Sequence, residues 1–238
     1  MPNQAPRSAD VFASESYGGF AGLDVRVCLI DDILSEVEPH QILSAAERAH
    51  ARQISHLAAR RAYVASRCQL RQSLSKACGG ALAPADWRFV QGPCGKPALA
   101  EGQPQLWFNL SHTDDAVALA ISRHGEVGVD LEAFDSAGSP LAEALTDCER
   151  ARLGTGKPDK IAGSFLALWC AKEAAAKALG LGTWLDFCRL EVDLEHAEVR
   201  PTSGARAAFP AISLRLEKPI LQGRSYCLAV AILSCDSR

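Results

Sequence analysis

Long apolar runs, paired metal-binding cysteines and an excess of one charge are all missing from the sequence. Even the longest apolar runs, such as residues 227–233, are far too short to span a bilayer. The nine cysteines include no CxxC pair and no Cys/His spacing typical of a metal site. A formal net charge of −3 argues against general binding to nucleic acids. We therefore expect a protein with no membrane span, no cysteine-held metal and no nucleic-acid partner.

The first 20 residues are small, polar and without periodicity, and this predicts a flexible N-terminal arm over residues 1–20. The arm has no apolar core of the kind that signal peptides carry. The whole chain is 48% hydrophobic and 22% charged, which is ordinary for a soluble globular protein. Most cysteines sit in apolar stretches, as expected for buried thiols in a reducing compartment. We expect a cytoplasmic protein.

Periodicity and turn residues predict a mixture of helices and strands. Capping boxes at Ser44 and Thr146 mark two helix starts. Longer helices are predicted at 57–77 and 161–179. Strands are predicted at 23–31, 87–90, a short stretch up to Phe108, 116–122, 126–132, 187–194, 211–216 and 225–233.

These elements occur in the order strand, helices, strands, and this order is repeated once along the 238 residues. Such an order is typical of an α+β protein built from two halves. We place the N-terminal half at residues 21–125 and the C-terminal half at residues 126–238. The strands 116–122 and 126–132 are expected to form a hairpin at the junction.

Two acidic side chains lie in the segment Gly128-Val-Asp-Leu-Glu132. Side chains alternate along a strand, so Asp130 and Glu132 point the same way while the valine and leucine turn inward. Magnesium usually takes one or two carboxylates together with phosphate oxygens. The alternative is a strand face with two solvated acids. A second Val-Asp-Leu-Glu at 192–195 has no phosphate-binding candidates around it, so the first copy is the predicted site.

A stripe of functional residue types lies on the predicted helix 161–179. Trp169, Glu173 and Lys177 are spaced at i, i+4 and i+8, which places them on one face. Lys172 lies about 100° around the helix axis from Glu173. A carboxylate beside two lysines suits a metal ligand next to phosphate-binding cations. The alternative is an ordinary ion pair on an alanine-rich helix.

Two further segments carry groups that could bind phosphate or a base edge. They are Gly95-Lys-Pro97 and Asn109-Leu-Ser-His112, each close to a turn. Taken singly, each is equally compatible with an exposed lysine and a satisfied loop histidine.

The order and spacing of GKP, NLSH, GVDLE and WxxKExxxK give the sequence a family resemblance from Leu23 to Leu233. The chain resembles the Sfp-type 4′-phosphopantetheinyl transferases. This resemblance implies an intramolecular pseudo-dimer of two similar α+β halves, with coenzyme A in the cleft between them.

The resemblance also implies roles for individual residues. Asp130, Glu132 and Glu173 would hold magnesium, so the metal ligands lie in the C-terminal half. Lys172 and Lys177 would face the pyrophosphate of coenzyme A, and Glu173 and Lys177 would take part in catalysis.

Further contacts to coenzyme A follow from the same resemblance, with His112 reaching the 3′-phosphate. Arg60 competes with Arg61 for that phosphate, and Glu149 is a second candidate beside Glu173 for accepting the serine proton. The implied contacts are Arg61, Gly95, Lys96, Pro97, Asn109, Ser111, His112, Asp130, Lys172 and Lys177.

The activity implied is magnesium-dependent transfer of the 4′-phosphopantetheine group of coenzyme A to a serine of an apo acyl or peptidyl carrier protein. Adenosine 3′,5′-bisphosphate leaves. The implied partners are coenzyme A and the carrier, and we expect a monomer. The basic segment 40–80 could contact an acidic carrier or be a solvated helix face. The alternatives are a non-catalytic, regulatory coenzyme A-binding protein of the same fold and a hydrolase of coenzyme A.

Overall fold

The computed structural model of the chain describes residues 8–12, 22–135, 144–153, 158–181, 187–202 and 212–233. Within these ranges the chain forms both helices and strands, and the predicted α+β class is confirmed.

An antiparallel four-stranded sheet with one long helix forms the first half of the described chain. Its strand order is β1-β2-β6-β5, and β3 and β4 form a separate two-stranded ribbon. The elements are β1 (Ser8–Phe12), β2 (Leu23–Leu29), α1 (Ile30–Glu36), α2 (Pro39–Ile42), α3 (Ala45–Gln53), α4 (Leu57–Ala77), β3 (Phe89–Gln91), β4 (Pro97–Leu99), β5 (Trp107–His112) and β6 (Ala116–Ser122).

A second antiparallel sheet with another long helix forms the other half. Strands β11, β12, β10, β9 and β8 follow one another in the sheet, and β7 pairs with β12. The elements are β7 (Val127–Ala133), α5 (Asp147–Leu153), α6 (Pro158–Leu179), β8 (Leu190–Asp193), β9 (Glu198–Pro201), β10 (Ile212–Glu217), β11 (Ile220–Leu221) and β12 (Arg224–Ile232).

The two sheets pack face to face, and the long helices cover their outer faces. Val25 and Val27 of β2 share one buried core with Val129 and Leu131 of β7. On the outer faces, α4 packs on β5 and β6, while α6 packs on β7, β12 and β10. The layers therefore run helix, sheet, sheet, helix. Helices of this length owe most of their stability to such packing rather than to intrinsic propensity.

Helix ends agree with the local signals in the sequence. Ser44 and Glu47 make both hydrogen bonds of a capping box at the start of α3. Thr146 and Glu149 do the same before α5. Gly180 follows α6 with φ +67°, a left-handed conformation that glycine adopts without a Cβ penalty.

The predicted hairpin between strands 116–122 and 126–132 is wrong. The two strands exist as β6 and β7, but β6 pairs with β2 and β5 whereas β7 pairs with β12. The short connection carries the chain from one sheet to the other. Sequence spacing alone gives the same signal for a tight hairpin and for such a crossing.

The predicted flexible arm needs correction over five residues. Ser8–Phe12 form β1, which extends the first sheet by pairing with the free edge of β2. Strand pairing uses backbone N–H and C=O groups, so a strand can form here without the apolar periodicity whose absence predicted an arm. The rest of the predicted arm lies outside the described residues.

The predicted boundary between the halves, residues 125 and 126, stays a proposal. It falls in the connection between β6 and β7, where the chain leaves the first sheet for the second. The internal symmetry that the resemblance implies also stays a prediction. Among the described residues, no helix has the length and apolar character needed to cross a membrane.

Candidate active site

A cavity of about 360 Å³ lies where the end of β5 meets β7 and α6. It is lined by polar side chains from three separate segments, set among a few apolar ones. The lining residues are Leu110, Ser111, His112, Asp130, Leu131, Glu132, Trp169, Glu173 and Lys177. The structure thus brings the predicted strand pair and the predicted helix stripe to one place, between the two halves.

Asp130 is the most buried acid of this cavity, with only 3% of its surface exposed. Its Oδ1 accepts hydrogen bonds from Lys177 Nζ at 2.6 Å and from Ser111 Oγ at 3.0 Å. Its Oδ2 is buried and has no hydrogen-bond partner among the described residues. Leaving a buried carboxylate oxygen without a partner is costly, so this atom marks a position where a cation could bind.

Glu132 and Glu173 share the electrostatic environment of Asp130. Burial, and then the charge of Asp130, raises the pKa of Glu132, although a hydrogen bond from Trp169 opposes the rise. Burial and the charge of Asp130 also raise the pKa of Glu173. The three carboxyl groups therefore repel one another, and a divalent cation between them would relieve that repulsion.

Magnesium fits this set as an open site. Among the described residues, no three His, Cys, Asp or Glu side chains are grouped as a complete metal-binding set. Magnesium does not require one, because it commonly takes one or two carboxylates and fills its other positions with water and phosphate oxygens. The unpartnered Asp130 Oδ2 and the mutual repulsion of the acids agree with that mode.

Side chains of β5 hold β7 beside the cavity. Asn109 Oδ1 accepts from the Val129 backbone N–H at 2.9 Å, and Ser111 Oγ accepts from the Leu131 N–H at 3.3 Å. These bonds replace a backbone ladder between the two sheets. Asn109 holds β7 in place but does not line the cavity, and its contact with coenzyme A stays a prediction.

Gly128 lets α6 approach β7 very closely. A Cβ at this position would lie 1.9 Å from the Ala174 carbonyl oxygen and 2.5 Å from the Ala178 nitrogen. Both are helix backbone atoms and cannot move aside like a side chain. This close approach brings Glu173 and Lys177 within reach of Asp130, and glycine within a strand is the signal that could have revealed it.

Lys172 is not at the cavity, contrary to the prediction from the resemblance. Its ammonium group is fully buried and pairs with Glu149 at 2.6 Å. Burial lowers the pKa of Lys172, and the hydrogen bond and charge of Glu149 oppose this effect. The helical geometry explains the error, because neighbouring residues differ by 100° and only the face of Glu173 turns to β7. Glu149 is equally buried, so it is not a candidate to accept a proton from a bound substrate.

Some of the residues predicted to contact coenzyme A lie away from the carboxylate cavity. Lys96 and Pro97 line a separate cavity of about 420 Å³ near the end of α6, where Lys96 donates to Glu126 and to the Val127 carbonyl. Gly95, with φ +82°, forms the preceding turn.

Arg61 and Arg60 are also away from the carboxylates. Arg61 pairs with Asp31 at a third cavity, and Arg60 donates to the Ile54 carbonyl. His112 lies at the rim of the carboxylate cavity and is exposed. The coenzyme A contacts proposed for Arg61, Gly95, Lys96, Pro97, Ser111 and His112 stay predictions.

The second Val-Asp-Leu-Glu motif forms a turn between β8 and β9. Asp193 accepts hydrogen bonds from the backbone N–H groups of Glu195 and His196. Hydrogen bonds from the His196 backbone and ring lower the pKa of Asp193 to about 2. The same four letters therefore stabilise a turn beside a different cavity here and line the carboxylate cavity at Asp130.

Trp169 contributes more to the site than its place in the stripe predicted. It donates a side-chain hydrogen bond to Glu132, and its ring lies 5.4 Å from that of Phe187. The i, i+4, i+8 spacing predicted which face of α6 carries Trp169. The hydrogen bond to Glu132 could not be predicted, because Glu132 lies on β7, a separate element.

Comparisons with known proteins concern the same region. Residues 126–231 match the family model described as "4'-phosphopantetheinyl transferase superfamily". The chain is 39% identical over 99 residues to the 4′-phosphopantetheinyl transferase AcpT of Salmonella typhi, covering 40% of this chain and 51% of that protein. It is 33% identical over 111 residues to the 4′-phosphopantetheinyl transferase gsp of Aneurinibacillus migulanus, covering 46% and 45% of the two chains. The chain thus spans about half the length of the curated relatives it matches.

Among solved structures, the chain is similar to an apo-ACPS from Chronobacterium ammoiniagenes. The identity is 18%, with 44% of this chain and 94% of that chain covered and a TM-score of 0.31, which is too low to support an argument. The family match includes Asp130, Glu132, Glu173 and Lys177. Residues 126–231 are therefore similar to the 4′-phosphopantetheinyl transferase superfamily.

Proposed function

We propose that this protein transfers the 4′-phosphopantetheine group of coenzyme A to a serine of an apo acyl or peptidyl carrier protein. The observation that carries the proposal is one cavity lined by three carboxylates and a lysine, within the region that matches the superfamily. Transfer of a phosphorus-centred group depends mainly on positioning and on neutralising charge. A cavity with acids for a metal and a lysine for a phosphate supplies both.

Magnesium is the metal that we propose for this cavity, bound by one or two of the carboxylates of Asp130, Glu132 and Glu173 together with water and phosphate oxygens. When bound, it would neutralise charge on the pyrophosphate of coenzyme A. Lys177 now donates to Asp130, so it stands where it can turn to a phosphate oxygen once a cation takes over that carboxylate. Ser111 keeps Asp130 in place from the other side.

Glu173 is the proposed acceptor of the carrier serine proton, directly or through a water bound to the metal. The serine oxygen attacks the β-phosphorus, a new P–O bond forms, and the bond to the bridging oxygen breaks. Adenosine 3′,5′-bisphosphate leaves with that oxygen, and the serine proton moves to the Glu173 carboxylate. Glu173 lines the same cavity as Lys177, which places its carboxylate beside the proposed phosphate site.

The direct test is mass spectrometry of apo carrier proteins incubated with the protein, coenzyme A and magnesium. We expect a gain equal to one phosphopantetheine group on a carrier serine. Release of free phosphopantetheine from coenzyme A without any carrier would indicate the hydrolase instead. Binding of coenzyme A with no product in either case would indicate a regulatory binding protein.

Replacing Glu173 by glutamine removes the proposed base while keeping the size of the side chain. We expect a loss of transfer of at least about 100-fold, the usual contribution of a positioned general base. The matched control is Glu195→Gln, which changes the exposed glutamate of the second motif and should leave the rate unchanged. Unchanged turnover in Glu173→Gln would contradict the assignment.

Contacts within the fold limit how many cations the basic segment 40–80 can offer to an acidic carrier. Several of its arginines are occupied within the fold: Arg71 is buried against Glu47, and Arg48 donates to two backbone carbonyls. Arg67 lies over the rings of Tyr63 and Phe89. A monomer in the cytoplasm stays a prediction.

A further inference from the structure

The buried ion pair between Lys172 and Glu149 is unusually complete. Both side chains have 0% exposure and their charged atoms are 2.6 Å apart. Lys172 Nζ also donates to the carbonyls of Ala144 at 2.8 Å and Phe187 at 3.0 Å. All three N–H bonds of the ammonium group are therefore used, and each fixes a direction.

Glu149 is equally constrained. Its Oε2 accepts from the Thr146 N–H at 2.8 Å, in addition to Lys172. Its Oε1 accepts from the Val192 N–H at 2.9 Å. One lysine on α6 is thus tied through one glutamate to the start of α5 and to β8.

Stability alone is a poor reason for such a pair. Buried ion pairs generally contribute no more stability than apolar side chains of the same volume, because both charges lose their hydration. Their distinguishing property is direction: apolar contacts tolerate small rotations of a helix, whereas three hydrogen bonds from one ammonium group do not.

Helix rotation matters here because Glu173 follows Lys172 directly. A side-chain tip lies about 6 Å from the helix axis, so a rotation of about 10° would move the Glu173 carboxylate by about 1 Å. A displacement of that size at a reacting group can lower the rate about 100-fold.

We propose that Lys172 and Glu149 form a positioning pair that sets the rotation of α6 and so holds Glu173 and Lys177 toward Asp130. The proposal rests on the proposed function for its catalytic consequence. Neither side chain lines the carboxylate cavity, so neither touches the substrate. Two other roles are possible for these residues and predict different results. Lys172 could contact coenzyme A directly, or the pair could only stabilise the fold.

The test compares Lys172→Met and Glu149→Gln in the full chain, with magnesium present. We expect kcat to fall about 10- to 100-fold in both, while the Kd for coenzyme A, measured by titration calorimetry, changes less than about twofold. A direct contact would instead weaken coenzyme A binding at least tenfold in Lys172→Met alone, and this would overturn the proposal.

A double variant keeps the test decisive where a single change leaves a buried charge unpaired and prevents folding. Lys172→Met/Glu149→Gln removes both charges at nearly constant volume and should melt at a higher temperature than either single variant, because no charge is left buried and unpaired. We expect its kcat to stay at least tenfold low. Wild-type kcat in this variant would mean a purely structural pair. Lys76→Met, an exposed lysine of α4, is the control and should leave melting temperature and kcat unchanged.

Failure of the proposed function would be recognised separately, because the wild-type protein would then modify no carrier. The positioning claim would still be judged by crystal structures of the wild type and the double variant. Glu173 turned away from Asp130 in the variant supports it, and an unchanged α6 overturns it.

Discussion

Asp130 combines two features that ordinary surface acids do not share. It is buried, and its two oxygens differ: Oδ1 has Lys177 and Ser111 as partners, whereas Oδ2 has none in the described part of the chain. A buried acid needs compensation for its lost hydration. Lys177 compensates the charge at Oδ1, and a cation at Oδ2 would compensate the other oxygen.

We expect Asp130→Asn to lower transfer by at least about 100-fold, because it removes the charge that holds both Lys177 and the proposed magnesium. The measurement is the initial rate as a function of magnesium concentration, which should also need more metal for half of its maximum. Asp193→Asn is the matched control, since Asp193 occupies the same place in the second motif but stabilises a turn away from the carboxylate cavity. Equal rates for Asp130→Asn and wild type would contradict the metal assignment.

Helix α6 and strand β7 form the contact on which the cavity depends. Gly128 faces the α6 backbone, where an added Cβ would lie 1.9 Å from the Ala174 carbonyl oxygen. On the other side of β7, Val129 and Leu131 fill the core between the sheets. The strand thus packs on both faces at once. A shift of α6 toward β7 would therefore disturb either the helix–strand contact or the core between the sheets.

Gly128→Ala should therefore destabilise the protein by about 1–3 kcal/mol, the usual effect of overpacking, or more because only backbone atoms line the gap. Urea denaturation measures the free energy of unfolding. Gly163→Ala, on α6, is the control: its nearest neighbour is Phe134 at 3.9 Å, an ordinary contact. Because alanine favours helix over glycine, Gly163→Ala should be neutral or more stable by up to about 1 kcal/mol. Equal stability of the two variants would contradict the prediction, because it would mean that α6 and β7 can move apart to accommodate a Cβ at position 128.

Arg224 links the two halves of the molecule. Its guanidinium pairs with Asp114 and Asp115 of the loop before β6 and with Asp135 just after β7. Tyr226 donates to Asp115 at 2.8 Å. Burial works to raise the pKa of Asp115, but hydrogen bonds from Arg224, Thr113 and Tyr226 outweigh it and lower that pKa below its usual value of 3.8.

We expect Arg224→Met to lower the free energy of unfolding by about 1 kcal/mol at pH 7, the upper end for half-exposed ion pairs. Because the pKa of Asp115 is lowered by folding, its stabilisation is present above about pH 4 and lost as the pH falls through the folded-state pKa. The difference between variant and wild type should therefore shrink at pH 3 in urea denaturation. A difference that does not change between pH 7 and pH 3 would contradict this role. Arg200→Met, which breaks a pair within β9, is the control.

Local signals in the sequence were sufficient wherever the deciding contacts lie close along the chain. The helix predicted at 57–77 is α4 residue for residue, and the strand 116–122 is β6. Caps, glycine stops and side-chain alternation act within a few residues, so they can be read without a fold. For the same reason the Trp169, Glu173 and Lys177 stripe was correct.

Partners distant along the chain were beyond such signals. Nothing near β6 indicates that β7 pairs with β12 instead, and α1, α2, β9 and β11 were not predicted because they are short. Lys172 and Glu173 are neighbours in one motif, yet only Glu173 lines the cavity. Lys172 instead pairs with the buried Glu149, 23 positions earlier in the chain. Residue types and spacing in the chain identified which acids could meet at a metal. Only the tertiary structure decided that Lys177, and not Lys172, joins these acids. Packing of α6 against α5 and β8 places Lys172 beside Glu149, and in a buried site the nearest opposite charge dominates.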